Sequence, residues 1–472
     1  MARPEDTGDV VSLVQWAATE QVPLVPRGAG TGMPGGNVGR GVVVDLSRWS
    51  AVGPVDRDTG VAEVGPGATG DALQKAAASA GYFFPSLPSS ADRCTVGGMV
   101  ANNAAGARSF GHGAVRDSVL ALEAVLADGS VVYLEHDGQV PVALRDLRTS
   151  LVRSLGASPR GWPIVRKNAS GYGLDRYLPT GDPLPLLVGS EGTLGIVTRV
   201  RLRFAPEPSE RALVLLPLPD LEALPHATTA ARATHAAACE FFGGRFLDIA
   251  GLRQLPETAD LVGAAPALLM VELAGGPGRV AEGIADLEHL ASQLGVPVRV
   301  ARRADERANL WALRRAASPV IAARASDGFV SMQFIEDSVV PDGRLPDYLR
   351  GLQCILDEEE TDAVVFGHAG DANVHVNPLV DVRRRDWRER TRRILEATVD
   401  LVSGLEGTLS GEHGDGRIRA PFQERIWGPS LAEAFRTVKG TLDPDGILNP
   451  GVVVPLEGQD PLEGLTPDRR GA

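Results

Sequence analysis

Three turns built from glycine and other small residues, each placed beside a short apolar run, constrain this chain most. The first is Pro26-Arg-Gly-Ala-Gly-Thr-Gly-Met-Pro-Gly-Gly36, after an apolar run from Val22 to Val25. The second is the small-residue stretch from Leu87 to Gly106, and the third spans Leu186 to Thr198. Without a Cβ in the way, backbone N–H groups can approach phosphate oxygens closely. One such turn is equally well read as a flexible loop. Three within residues 1–204 argue for one long phosphate-bearing ligand. NAD is disfavoured, because the dinucleotide pattern needs a strand, G-x-G-x-x-G and then a helix. Gly28-Ala-Gly30 opens that pattern, but Pro34, Gly35 and Gly36 follow, and then a strand from Gly41 to Ser47.

Around these turns the patterning alternates between helix and strand. Residues 9–19 have helical apolar spacing, with Asp9 or Thr7 as the cap, and residues 71–80 form a second helix. Residues 51–66 read as a strand pair, and Leu120 to Leu134 as a hairpin turning at Asp128-Gly129. Pro206-Glu-Pro208 breaks the chain. Beyond it, strands at 213–218 and 267–272 alternate with helices at 278–293 and 305–317, and Phe334 to Pro341 reads as a strand. A separate α+β layer over the first region is expected.

The most chemical stretch is Phe366-Gly-His-Ala-Gly-Asp-Ala-Asn-Val-His-Val-Asn377, read as a tight antiparallel hairpin. A turn centred between Asp371 and Ala372 would oppose Gly370 to Asn373, Ala369 to Val374 and His368 to His375. Asn377 would share the face of His375, with Val374 and Val376 on the other. Two imidazoles converging on one spot suit a divalent metal; two core histidines in an ordinary hairpin are the plainer alternative. A second polar cluster, Ser410-Gly-Glu-His-Gly-Asp-Gly416, brings Glu412 and His413, so three of the eight histidines lie in two Gly/Asp-rich motifs.

Composition excludes several classes. A net charge of −13 with no basic block argues against nucleic-acid binding. Cys94, Cys239 and Cys354 are scattered, so no iron–sulfur cluster or zinc knuckle is encoded. With no apolar leader and no long apolar run, a cytoplasmic protein without a transmembrane segment is expected, reaching a membrane only through a partner.

The glycine-rich turns resemble the FAD-binding domain of the vanillyl-alcohol-oxidase/p-cresol-methylhydroxylase superfamily. The two histidine motifs resemble its D-2-hydroxyacid dehydrogenase branch, which includes enzymes for D-lactate, D-2-hydroxyglutarate and glycolate. The resemblance implies an α+β fold. A two-subdomain FAD-binding domain (1–204, short at its N-terminus) would carry an α+β cap with a large antiparallel sheet (205–425). A segment returning to the FAD domain (426–455) and a polar tail (456–472) would follow. It implies flavin contacts at Pro26, Arg27, Gly28, Ala29, Gly30, Thr31 and Gly32, then at Pro88, Ser89, Gly97, Gly98, Asn102, Ala105 and Gly106. Others fall at Glu191, Gly192, Gly195 and Ile196, and at Asn449 in the returning segment. Some members bind flavin covalently through a histidine. The first loop has none, so FAD is expected to be non-covalent, with His112 the nearest and disfavoured exception. A substrate-contacting lysine common in the family is replaced by Ile335.

Oxidation of a 2-hydroxy acid removes the hydroxyl proton and moves the C2 hydride to flavin. For this chemistry His368, His375 and Glu412 are the expected ligands of a divalent metal (zinc, manganese or iron). His413 is the expected base, Arg314 the expected binder of the substrate carboxylate, and Asn377 a hydrogen-bonding partner. Expected partners are the hydroxy acid and an electron acceptor: an iron–sulfur protein, an electron-transfer flavoprotein or a quinone. A homodimer is left open. The alternative is a non-catalytic FAD subunit of a larger oxidase.

Overall fold

The computed structural model describes residues 1–254, 258–315, 321 and 328–465. The first half holds a parallel strand pair, Leu24–Arg27 with Val42–Asp45, and a four-stranded antiparallel sheet. That sheet runs Val61–Val64, Ile196–Arg203, Val119–Val125, Val131–Glu135. Strand Ile196–Arg203 shows why it forms. Ile196, Thr198, Val200 and Leu202 are buried while Arg201 and its alternate neighbours face outward, the period of a half-covered sheet. The expected strand pair over 51–66 is reduced to Val61–Val64, with Val52 making one isolated bridge to Val64. The first helix, Thr7–Glu20, is capped by Asp6, not by Thr7 or Asp9: its carboxylate accepts the Asp9 N–H at 3.0 Å.

The second half is an eight-stranded antiparallel sheet. Its path is Arg299–Ala301, Glu210–Leu218, Ala267–Gly275, Ala238–Gly243, Asp362–His368, Asn373–Asp381 and Phe329–Ser331, with Ser338–Val339 also on Asn373–Asp381. Strand Glu210–Leu218 reads as an unbroken apolar run because both its faces are covered. Leu213 and Leu215 enter one cluster, and Val214, Leu216 and Leu218 the other. Helix Pro277–Leu294 closes the second face with Val280, Ile284, Leu287 and Leu290. Each of these side chains contributes about 1.5–3 kcal/mol when removed from water.

Three expectations change here, and a fourth is met as far as the described residues reach. The hairpin turn is four residues long, Ala369 to Ala372, so His368 opposes Asn373 and Phe366 opposes His375. Phe334 to Pro341 forms a strand only at Ser338–Val339, since Glu336 and Asp337 turn their carboxylates inward to other partners. Helix Ala304–Arg315 carries the predicted 305–317 segment, whose last two residues lie outside the described residues. Within the expected tail, residues 456–465 are docked: Leu462 is buried, and Arg388 of helix Trp387–Gly404 donates to the Leu462 and Leu465 carbonyls.

The chain then ties its two halves together. Helix Gln423–Leu442, kinked at Gly428 before Pro429, places Leu431, Phe435 and Val438 in the core of the first half beside Tyr172 and Leu174.

Candidate active site

The hairpin keeps its chemistry despite the altered register. The shift moves one strand past the other by two residues, and two is the side-chain period. His368, Asn373, His375 and Asn377 therefore still share a face, while Val374 and Val376 enter the opposite core.

Each imidazole is oriented by its Nδ1. His375 Nδ1 donates to the Glu336 carbonyl at 3.0 Å, and His368 Nδ1 to the Glu240 carboxylate at 2.6 Å. Since a carbonyl can only accept, His375 carries its proton on Nδ1 and offers a lone pair at Nε2. The two Nε2 atoms lie 3.2 Å apart, and Glu412 Oε1 is 3.3 Å from each. Tetrahedral zinc with bonds of 2.0–2.1 Å needs ligand atoms about 3.3–3.4 Å apart. The spacing and the Nδ1 partners therefore fit a divalent metal with these three donors. Asp337, His375, Glu412 and His413 also place ligand atoms within 4.8 Å of one another. Asp337 is better read as a scaffold, because its Oδ2 already accepts from the N–H groups of Glu412 and His413 and from the Ser410 hydroxyl.

The surrounding charges are paired. Burial opposes ionisation of Glu240, but His368 and Arg314 pull its pKa down to about 2. Arg314 Nε donates to Glu240 at 2.6 Å, and its guanidinium stacks over Phe366 at 4.7 Å. Burial works against the charged ring of His413, but Asp337, Glu336 and Glu412 outweigh it and raise its pKa above the ordinary histidine value. His413 Nδ1 donates to Glu336 at 3.3 Å, its Nε2 lies 3.6 Å from Glu412, and its ring stacks on that of His375. Asn377 accepts from Gln333 at 3.3 Å.

Lys167 was not singled out from sequence. It reaches from the first half into this cluster, donating to Glu412 Oε2 at 2.5 Å and to Asn373 at 3.0 Å. One signal could have marked it: only three of 47 basic residues are lysine, and this one sits in a Gly/Ser turn. Arg419, paired with Glu336 in the interior, carried no local signal at all.

The glycine-rich loops converge on the same place. A Cβ on Gly28 would lie 2.1 Å from Thr95 Oγ1, and one on Gly106 2.1 Å from the Leu87 carbonyl, so both positions exclude larger residues. Gly192, at φ +70, packs against Pro26. Among the described residues the N–H groups of Gly28, Ala29, Gly30, Thr31 and Gly32 have no protein acceptor, and the buried Thr95 hydroxyl has no partner. Unpaired donors in a loop with glycine at three of these five positions fit the diphosphate of FAD.

Other expected flavin contacts are engaged within the protein. The Glu191 carboxylate accepts from the N–H groups of Asp415 and Gly416, and burial and the Asp415 charge push its pKa up to about 8. The Asn449 amide donates to the Gly36 and Glu191 carbonyls, both at 2.8 Å. Both side chains bind loop to loop. Asn102 donates to the His413 carbonyl, and the Ile196 side chain lies in the core. His112 packs edge-on against Phe83 and does not line the cavity.

A cavity of about 330 Å³ joins the two regions. Pro88, Ser89 and Gly106 form one wall, and Arg314, His368, His375, Asn377, Glu412 and His413 the other.

Residues 207–453 match the family described as FAD linked oxidases, C-terminal domain, and residues 1–135 match the FAD binding domain. A D-lactate dehydrogenase of Archaeoglobus fulgidus is 30% identical, covering 96% of this chain and 91% of that protein. A D-2-hydroxyglutarate dehydrogenase of Escherichia coli is 28% identical, covering 99% of this chain and 49% of that protein. The solved structure of p-cresol methylhydroxylase superposes with a TM-score of 0.70 at 17% identity, covering 97% of this chain and 89% of that one, which shows a shared fold. The fold, the loops and both matched regions agree: this chain belongs to the FAD-linked oxidases and is an oxidoreductase.

Proposed function

We propose that the protein oxidises a small D-2-hydroxy acid (D-lactate, D-2-hydroxyglutarate or glycolate) to the 2-oxo acid, using non-covalently held FAD. One observation carries this reading: the flavin-loop wall and the imidazole–carboxylate wall face each other across one cavity. The activities named for the relatives agree with it.

Bound FAD supplies the hydride acceptor, and a divalent metal at His368, His375 and Glu412 supplies Lewis acidity at the substrate oxygens. The chain's own residues do the rest. Arg314, fixed by Glu240 and stacked on Phe366, presents its remaining guanidinium donors to the substrate carboxylate. Asn377 sets the substrate's orientation from the same strand face as His375. His413 takes the hydroxyl proton at Nε2, and Glu336 and Asp337 stabilise the imidazolium that forms. Lys167 holds the far oxygen of Glu412, so the near oxygen keeps facing the imidazoles. Electrons then leave to an iron–sulfur protein, an electron-transfer flavoprotein or a quinone.

The test is anaerobic mixing of the flavin-loaded protein with each hydroxy acid. The yellow absorbance should bleach with at least one; a spectrum unchanged by every 2-hydroxy acid overturns the reading. His413→Ala should retain the bound flavin spectrum and lose about 10²–10⁴-fold in kcat. Full turnover in that variant would remove the base from His413.

A further inference from the structure

The deep end of the cavity holds as much negative as positive charge. Arg314 shares Glu240 with His368, Lys167 is paired with Glu412, and Arg419 with Glu336. A single substrate carboxylate finds Arg314 there, and no further cation stands without an anionic partner. The rim differs. Helix Ala304–Arg315 ends at the cavity, and both of its last residues line it: Arg314 buried, Arg315 exposed. Arg315 has no carboxylate or carbonyl partner among the described residues. Arg108, from the flavin half, lines the same cavity, and its guanidinium lies 5.5 Å from the ring centre of Trp311, one turn back from Arg315 on the helix. Arg108 donates Nε and Nη2 to Glu272 at 2.8 and 3.2 Å, which fixes its plane. Glu272 is shared with Arg211 at 2.9 Å, and Arg211 also pairs with Glu207 at 3.0 Å, so the two arginines and two carboxylates balance and Arg108 keeps only its Nη1 free. The cavity lining therefore offers one unpaired guanidinium, Arg315, and one free Nη1 on the fixed plane of Arg108, with Asp71 a carboxylate that also lines it.

Resting on the function proposed above, we propose that Arg315 and Arg108 form a second anion subsite. The preferred substrate is then a 2-hydroxy acid with a carboxylate at its far end, a dicarboxylate and not D-lactate. Arg314 and the imidazole cluster take the C1 carboxylate and the hydroxyl. Arg315, joined by the free Nη1 of Arg108, takes the distal carboxylate where it leaves the cavity. Guanidinium–carboxylate hydrogen bonds are charge-assisted and directional, so they can separate a carboxylate from a methyl of similar size. Arg108, already fixed by Glu272 and Trp311, adds its contact without the ordering cost that a free side chain incurs. Trp311 contributes by holding Arg108 over the opening.

The experiment compares kcat/KM for D-2-hydroxyglutarate with that for D-2-hydroxyvalerate, which has the same length and no distal carboxylate. The wild-type protein should favour the dicarboxylate. In Arg315→Gln the ratio of the two should fall about tenfold or more, mostly through KM for the dicarboxylate, as expected for loss of one charge-assisted contact. Arg315→Lys, which keeps the charge and loses the fork, should recover part of it. A structural role for Arg315 would lower both substrates together and leave the ratio unchanged, which overturns the subsite. A wild-type protein that favours the valerate or D-lactate overturns it too, while leaving the 2-hydroxy acid reading intact. Flavin that no 2-hydroxy acid reduces removes both.

Discussion

The two walls of the cavity are made of different materials. The flavin-facing side is backbone: the first loop, which reaches the cavity at Met33, exposes N–H groups at Gly28, Gly30 and Gly32, and its shape depends on atoms being absent. The opposite wall is side chain: His368, His375, Glu412 and His413, each fixed by a buried partner. A backbone wall fails when something is added, and a side-chain wall fails when something is taken away. The first tolerates loss of charge and not of space; the second behaves in the opposite way.

Lys167 tests the side-chain wall most severely. Both it and Glu412 are nearly inaccessible, with side-chain exposures of 3% and 8%. Lys167→Met would leave Glu412 charged, buried and short of a partner. Breaking such a pair costs about 3–5 kcal/mol. Urea denaturation should show a loss in that range, against under about 1 kcal/mol for an exposed pair such as Arg425 with Asp400. A loss no larger than the exposed pair's would mean that the wall does not depend on this cation.

Gly28→Ala tests the backbone wall. The new methyl would fall 2.1 Å from Thr95 Oγ1, so the Thr95 side chain must turn away or the first two loops separate. Overpacking of this kind costs about 1–3 kcal/mol. The loss should appear as FAD affinity, read from the flavin-to-protein absorbance ratio after dialysis, while the fold of the imidazole wall is retained. Unchanged flavin retention would show that the loops need not touch.

This difference also decides what could be read without coordinates. Glycine patterns are local, so the flavin loops were visible as runs of small residues. The shared face of His368, His375 and Asn377 was visible because strand parity survives a two-residue slip. The register itself was not, because the turn places Ala372 at φ +50, a conformation usually signalled by glycine or asparagine. The pairings of Glu240, Arg419 and Lys167 escaped for another reason: each meets its partner across 74 residues or more, and no period links them. Phe334 to Pro341 misled because apolar pairs flanking a short polar stretch can mark a strand whether or not a buried Glu336 or Asp337 bends it away.

Glu191 sits where the two walls join, and it gives the mildest test. Its residue belongs to the third flavin loop, yet its carboxylate accepts from the Asp415 and Gly416 N–H groups in the segment that carries Glu412 and His413. Burial, then repulsion from Asp415, raise its pKa from 4.5 to about 8. The folded protein thus binds this proton more tightly than the unfolded chain does. By linkage its contribution to stability is complete below about pH 4.5 and is lost as pH rises through about 8. Urea midpoints should therefore fall across that window, and Glu191→Gln should flatten the fall, since the amide keeps an acceptor for the N–H groups and carries no charge. Should the slope persist unchanged in Glu191→Gln, the seam between the walls is not where the protein's neutral-pH sensitivity lies, and the charge shared with Asp415 is relieved by some other route.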